Sequence, residues 1–96
     1  MTEPRGSVTG THNEHQVKFY GISTCIWCRK TRKFLEENSV AFDFVYVDLL
    51  EGDEREAVKD AVREWNPRTS FPTLVVDDKE CVVGYKIDKI SELLGL

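Results

Sequence analysis

The segment STCIWCRK, residues 23–30, places Cys25 and Cys28 three positions apart. Such a pair is typical of a redox dithiol, of half a zinc site, or of two unrelated small hydrophobic residues. QVKFY (16–20), just before it, is rich in β-branched and aromatic residues and predicts a strand. Apolar residues at helical spacing after it predict a helix over 25–38. The two thiols are therefore expected where a strand gives way to a helix.

The rest of the sequence continues this alternation of strands and helices. Periodicity and turn residues predict a strand at 42–48, a helix at 52–65, hairpin strands at 73–77 and 81–85, and a last helix at 87–96. The order β-α-β-α-β-β-α makes the first two strands parallel, joined by a right-handed crossover through the first helix. Sites in such α/β sheets usually lie at the carboxyl ends of the strands, where the dithiol is expected.

Side-chain oxygens are predicted to cap the three helices. Thr24 is expected as the N-cap of the first helix, Asp53 with Glu56 as a capping box for the second, and Asp88 as the N-cap of the third. Each oxygen would accept a hydrogen bond from free amide groups of a first helical turn.

Residues 1–15 are polar and predict a flexible N-terminal tail, which leaves one domain over residues 16–96. The tail lacks the apolar stretch of a secretory signal, so we expect a cytoplasmic protein whose thiols are kept reduced. His12 and His15 lie in this tail and, without further ligands, are expected to be solvated rather than to bind a metal.

The net charge of −4 is unevenly distributed along the chain. Residues 16–38 carry five basic and two acidic side chains, whereas residues 40–66 carry three basic and eight acidic ones. The dithiol thus lies in the electropositive third of an acidic chain. This acidity argues against nucleic-acid binding, and no apolar run approaches the roughly 20 residues that span a membrane.

A dithiol at the start of a helix has a defined chemistry. The free amide groups and partial positive charge there favour the thiolate of Cys25, which we expect at the first helical position. Cys28 lies one turn later on the same side and is expected to be more buried. Cys25 would then attack a target disulfide, and Cys28 would resolve the mixed disulfide.

Two interpretations compete with a catalytic dithiol. A structural zinc ion needs four ligands, and the chain offers Cys81 and two tail histidines besides the pair. The pair could also be two incidental core cysteines. Cys81 is expected to be a buried small hydrophobic residue, with a regulatory or dimer-forming thiol as the alternative.

Taken together, YGISTCIWC, SFPTL and VGYKIDKI resemble the glutaredoxin family of the thioredoxin fold, over roughly residues 16–95. The resemblance implies a four-stranded mixed sheet flanked by three helices. It also implies that Pro72 is cis and faces the dithiol, offering backbone groups to an extended thiol substrate, with Ser70 and Phe71 flanking the groove. Thr24 and Trp27 would lie against the substrate, and Asp88 could hold a substrate amine.

Two departures from the family pattern bear on the electron donor. Ile26 and Trp27 replace the usual Pro-Tyr between the cysteines, and Ile22 stands where glutaredoxins often carry a lysine for the glutathione carboxylate. Lys86 or Lys18 could substitute for that lysine. The final GYKIDKI is similar to NrdH-type redoxins, which reduce ribonucleotide reductase and are themselves reduced by thioredoxin reductase.

The resemblance therefore implies an oxidoreductase for protein disulfides, with ribonucleotide reductase as a candidate client. Its reductant would be glutathione or thioredoxin reductase, and we expect a monomer without a tightly bound cofactor. An alternative is an iron–sulfur carrier, because some glutaredoxins without the motif proline hold a cluster between two subunits. A third interpretation is a domain that uses the fold for interaction alone.

Overall fold

The architecture is taken from a computed structural model, which describes residues 4–96. Within that range the chain forms five strands, three α-helices and one short 3₁₀ helix. In chain order these are Arg5–Val8 (β1), Val17–Gly21 (β2), Ile26–Glu37 (α1), Phe42–Tyr46 (β3), the 3₁₀ helix Val47–Leu49, Gly52–Trp65 (α2), Thr73–Val76 (β4), Glu80–Val83 (β5) and Ile87–Leu94 (α3).

The strands form one mixed sheet in the order β1-β3-β2-β4-β5. β2 and β3 are parallel, with Gly21 opposite Tyr46, as the crossover through α1 requires. The other neighbours are antiparallel, including the β4–β5 hairpin. The predicted α/β class, the mixed sheet and the three helices are confirmed.

The prediction of a four-stranded sheet is wrong, because residues 5–8 of the predicted N-terminal tail add a fifth strand. Arg5–Val8 form an edge strand antiparallel to β3, and Tyr46 N donates to Pro4 O at 2.7 Å. An edge strand is stabilised by backbone hydrogen bonds, so its side chains need not alternate between apolar and polar. Residues 1–3 of the predicted tail lie outside the described residues.

β3 and β5 each end two residues earlier than predicted, and β4 ends one residue earlier, at Val76. β3 stops at Tyr46 because its parallel partner β2 ends opposite, at Gly21. β5 stops at Val83, since Gly84 has a φ of 89° that a strand does not continue through. The helix over 52–65 matches its prediction, and the last helix ends at Leu94 with Gly95 in the left-handed region.

The predicted caps of α2 and α3 are also wrong. The N-cap residues are Glu51 and Lys86, neither of which uses its side chain for capping. Asp53 and Asp88 lie instead within the first helical turns. Their negative charges are attracted there to the partial positive charge at the start of each helix.

The main core lies between the sheet and the helices α1 and α3. Phe19 at the centre of β2 is fully buried and meets the rings of Phe42 and Tyr46 edge to face, with centroids 6.2 and 6.3 Å away. Leu35 of α1 and Ile90 of α3 are buried in the same cluster. This packing fixes the start of α1 against the end of β2.

Residues 4–96 contain no helix that is both long and apolar enough to cross a membrane.

Candidate active site

Cys25 lies at the junction between β2 and α1. The backbone turns there, because Cys25 N donates to Ile22 O at 3.1 Å. Cys25 has extended dihedral angles and is itself the N-cap residue, so the prediction of Thr24 as the cap is wrong. The cap acceptor is the Cys25 sulfur, which accepts from Cys28 N at 3.3 Å. Cys25 was predicted as the first helical residue and instead sits one position before it, with its sulfur still over the first turn.

The two cysteines differ sharply in their surroundings. Cys28 is fully buried, whereas Cys25 is partly exposed, as the helical spacing predicted. Burial, the hydrogen bond with Cys25 and the nearby charges of Cys25 and Asp48 raise the pKa of the Cys28 thiol to about 12, against an opposing hydrogen bond from Ile22 N. Cys28 is therefore a thiol rather than a thiolate at neutral pH, and the accessible sulfur is that of Cys25.

Gly21 lets the end of β2 approach the buried thiol closely. A Cβ atom at this position would lie 3.0 Å from the Phe19 ring and 3.4 Å from the Cys28 sulfur. A side chain here would force the Phe19 ring to shift. Glycine at position 21 therefore leaves room for the core ring, with the Cys28 sulfur in ordinary contact beside it.

Asp48 is a further residue of the site that the sequence analysis did not single out. Its carboxylate accepts from Ser23 N at 2.9 Å and from Ser23 Oγ at 2.5 Å. It lies directly after β3, the parallel neighbour of β2, so both residues occupy the same edge of the sheet. That position was the available signal, because sites in α/β sheets form at the carboxyl ends of the strands.

A shallow pocket of about 260 Å³ lies beside the start of α1. Trp27, Phe71 and Pro72 line it together with Gly84 and Tyr85. The Phe71–Pro72 peptide bond is cis, as the resemblance implied. Trp27 is 51% exposed and its ring lies 5.5 Å from that of Tyr85, so an aromatic surface adjoins the dithiol.

Three of the predicted substrate-binding residues do not line this pocket. Thr24 is exposed in the turn before Cys25. Ser70 is held by Asn66, whose Nδ2 donates to the Ser70 carbonyl at 3.0 Å and to its hydroxyl at 3.1 Å. Asp88 lines a separate depression, which shares Tyr85 with the pocket.

Basic side chains flank the aromatic surface. Lys30 Nζ lies 4.9 Å from the Trp27 ring centroid, a cation–π geometry. Lys86, one of the two predicted substitutes for the missing lysine, lines the same depression beside Tyr85 as Asp88 and does not line the pocket. Lys18, the other predicted substitute, does not line the pocket either, because it pairs with Asp78 at 3.4 Å beside the β4–β5 turn.

The other residues considered for metal or redox chemistry lie apart from the dithiol. His15 Nδ1 lies 2.7 Å from Asp77, at the opposite end of β2. No group of three or more potential metal-binding side chains occurs in residues 4–96. Cys81, in β5, is only partly buried rather than fully, and burial raises the pKa of its thiol.

Comparisons with known proteins agree with this geometry. The family model for glutaredoxin matches residues 17–81, which include both cysteines and Pro72. The crystal structure of the glutaredoxin from Methanosarcina mazei Go1 is similar to this chain at 45% identity, with a TM-score of 0.90, covering 98% of this chain and 90% of that one.

Two further structures widen the comparison. The Methanosarcina acetivorans methanoredoxin is 42% identical, with a TM-score of 0.85 and 88% of each chain covered. The glutaredoxin-like NrdH-redoxin from Escherichia coli is 20% identical, with a TM-score of 0.67, covering 81% of this chain and 93% of that one. At that identity the last comparison shows a shared thioredoxin-like fold alone.

Proposed function

This chain belongs to the glutaredoxin family, and we propose that it is a thiol–disulfide oxidoreductase that reduces protein disulfides through Cys25 and Cys28. The observation that carries the proposal is the contrast between the two sulfurs. Cys25 is partly exposed at the start of α1, whereas Cys28 is fully buried and protonated behind it. A hydrogen bond of 3.3 Å from Cys28 N to the Cys25 sulfur places the two residues side by side.

The proposed reaction consists of two thiol–disulfide exchanges. The Cys25 thiolate attacks one sulfur of the substrate disulfide, forming a mixed disulfide and releasing the first substrate thiol. Cys28 then gives its proton to solvent and attacks the Cys25 sulfur, which forms the Cys25–Cys28 bond and releases the second substrate thiol. The substrate gains two electrons and two protons, and the protein dithiol loses them.

The surface around Cys25 favours a polypeptide as substrate. Ile26 and Trp27 are large hydrophobic residues that are 57% and 51% exposed. Trp27, Phe71 and Tyr85 line the shallow pocket beside the dithiol. An exposed aromatic pocket of this size suits a side chain adjacent to a substrate disulfide, because aromatic residues contribute much of the binding energy at protein interfaces.

Trapping of the mixed disulfide tests this proposal. A Cys28→Ser variant is incubated with a protein disulfide such as insulin, and its intact mass is measured after quenching. We expect an adduct on Cys25 that a thiol reductant removes, and no such adduct on the matched Cys25→Ser variant. If neither variant forms an adduct, or if both do so equally through Cys81, the proposed function is wrong.

For the electron donor we propose a dedicated reductase, of the thioredoxin reductase type, rather than glutathione, with ribonucleotide reductase among the candidate clients. The support is Ile22, which gives an anionic tripeptide no charge-assisted contact beside Cys25. Three free thiols also suit a reducing compartment such as the cytoplasm.

Redox buffers of reduced and oxidised glutathione distinguish the two donors. The oxidised protein is incubated in them, quenched with an alkylating agent, and its free thiols are counted by mass. We expect the Cys25–Cys28 disulfide to exchange slowly with glutathione. Rapid equilibration with a glutathione adduct on Cys25 would refute the choice of donor and leave the dithiol chemistry intact.

A further inference from the structure

The loop that carries Cys25 is hydrogen-bonded to one carboxylate, which lies in the 3₁₀ helix just after β3. Asp48 accepts hydrogen bonds from both the amide and the hydroxyl group of Ser23, at 2.9 and 2.5 Å. Asp48 is itself fixed, because the Arg55 guanidinium donates to the carbonyl oxygens of Asp48 and Leu50, at 3.3 and 2.8 Å. We call the contact between Asp48 and Ser23 the loop clamp.

The clamped loop contacts both halves of the dithiol. Ile22, next to Ser23, accepts from Cys25 N at 3.1 Å through its carbonyl oxygen. The Ile22 amide donates to the Cys28 sulfur at 3.5 Å. The backbone between β2 and α1 thus has one hydrogen bond to each cysteine, and the loop clamp fixes this backbone at Ser23.

We propose that Asp48 is a positioning residue for ring closure, the step in which Cys28 attacks the Cys25 sulfur and releases the substrate. This inference rests on the proposed dithiol function. Attack on the substrate needs the Cys25 sulfur alone, whereas ring closure needs both sulfurs in a defined relative position. Holding two reacting groups together is worth several orders of magnitude in rate, and small misplacements reduce it. Asp48 would therefore affect the second exchange and leave the first almost unchanged.

The hydrogen bonds and the charge of Asp48 act on Cys28 in opposite directions. Through Ser23 the carboxylate holds Ile22, whose amide stabilises the thiolate of Cys28. The negative charge itself disfavours that thiolate, and burial together with Cys25 and Asp48 raises the pKa of Cys28 to about 12. A substitution that keeps the hydrogen bonds and removes the charge can therefore separate the two effects.

The test uses the full chain with a protein disulfide under single-turnover conditions. In the Asp48→Ala variant we expect ring closure to slow by about tenfold, comparable to the loss of about one hydrogen bond to a charged group. The mixed disulfide on Cys25 then accumulates and is followed by acid quenching and intact mass. Attack by Cys25, measured in the Cys28→Ser background, should change less than about twofold.

Two matched variants serve as controls. Asp48→Asn keeps an acceptor for Ser23 N and places a donor near Ser23 Oγ, so it should close at the wild-type rate or faster. Asp43→Ala removes a similar contact on β3, since Ser7 Oγ donates to Asp43 at 2.5 Å, but far from the dithiol. It should close at the wild-type rate. Rescue by Asp48→Asn would not be expected if the carboxylate were needed as a proton acceptor.

The outcomes separate this inference from the proposed function. If the Cys28→Ser variant traps no mixed disulfide at all, the proposed function fails. If it does, and Asp48→Ala closes as fast as wild type, the positioning role alone is refuted. Closure in Asp48→Asn as slow as in Asp48→Ala would also refute it, because the charge rather than the loop clamp would then matter. Should Asp48→Ala fail to fold, Asp48→Ser is measured instead, because its shorter side chain cannot reach both groups of Ser23, and wild-type closure in it refutes the role.

Discussion

Alkaline pH should destabilise the reduced protein through Cys28. The pKa of this buried thiol is raised from an ordinary value of 9.0 to about 12 in the folded chain. Well below pH 9 the thiol is protonated in both the folded and the unfolded state, so it does not make the free energy of unfolding depend on pH. Above pH 9 the unfolded thiol ionises and the folded one does not, so the free energy of unfolding falls as pH rises towards 12.

The size of this effect follows from the two pKa values. At pH 10 the unfolded thiol is about nine-tenths ionised while Cys28 in the folded protein is protonated, which lowers the free energy of unfolding by about 1.4 kcal/mol relative to pH 8. This figure is nearly independent of the folded pKa as long as that pKa exceeds about 11. The change is a measurable fraction of the stability of a typical domain, which is about 5–15 kcal/mol.

The assay compares wild-type protein with Cys28→Ser in a non-thiol reductant, by urea denaturation at pH 8 and pH 10. Serine does not ionise in this range, and the other titrating groups, Tyr20 and Cys81 included, are shared and largely cancel. Between pH 8 and pH 10 we expect the free energy of unfolding of wild-type protein to fall by about 1.4 kcal/mol more than that of Cys28→Ser. An unchanged difference would show that Cys28 ionises normally and would refute the reasoning.

Two substitutions and one deletion test the aromatic pocket and the fold. Trp27→Ala should raise KM for a protein disulfide about fivefold and barely affect KM for a small aliphatic disulfide, because an aromatic contact is worth about 1 kcal/mol. Trp27→Phe is the control. Equal effects on both substrates would contradict a role of the aromatic pocket in binding polypeptides. Gly21→Ala should lower the free energy of unfolding by about 1–3 kcal/mol, because its Cβ would meet the Phe19 ring at 3.0 Å; unchanged denaturation would contradict this. Deleting residues 1–9 should lower the melting temperature by removing the edge strand, with mixed-disulfide trapping unchanged, and an unaltered melting temperature would argue against that strand.

Local sequence patterns were enough to predict most of the helices and strands. The helix over 52–65 was predicted with its bounds, because its apolar stripe and turn residues are both local signals. The parallel pairing of β2 with β3 followed from the helix between them. The cis bond before Pro72 came from the family resemblance, since nothing local to SFPTL distinguishes it from an ordinary proline at a strand entrance.

The errors concern contacts between distant parts of the chain. The strand Arg5–Val8 depends on backbone pairing with β3, some 37 residues away, and its polar sequence carries no periodicity that reveals it. Thr24 is a good capping residue by type, but the turn at Ile22 brings the Cys25 sulfur to the cap position instead. Asp48 meets Ser23 across 25 residues, and only the topology brings the two together.

The most direct test of the dithiol mechanism is to map which thiols the reaction consumes. Reduced wild-type protein is mixed with one equivalent of insulin, quenched with an alkylating agent, digested and analysed by mass spectrometry. We expect Cys25 and Cys28 to become joined in one disulfide while Cys81 is recovered alkylated. Reduction of insulin without a Cys25–Cys28 bond, or with Cys81 consumed in its place, would contradict it.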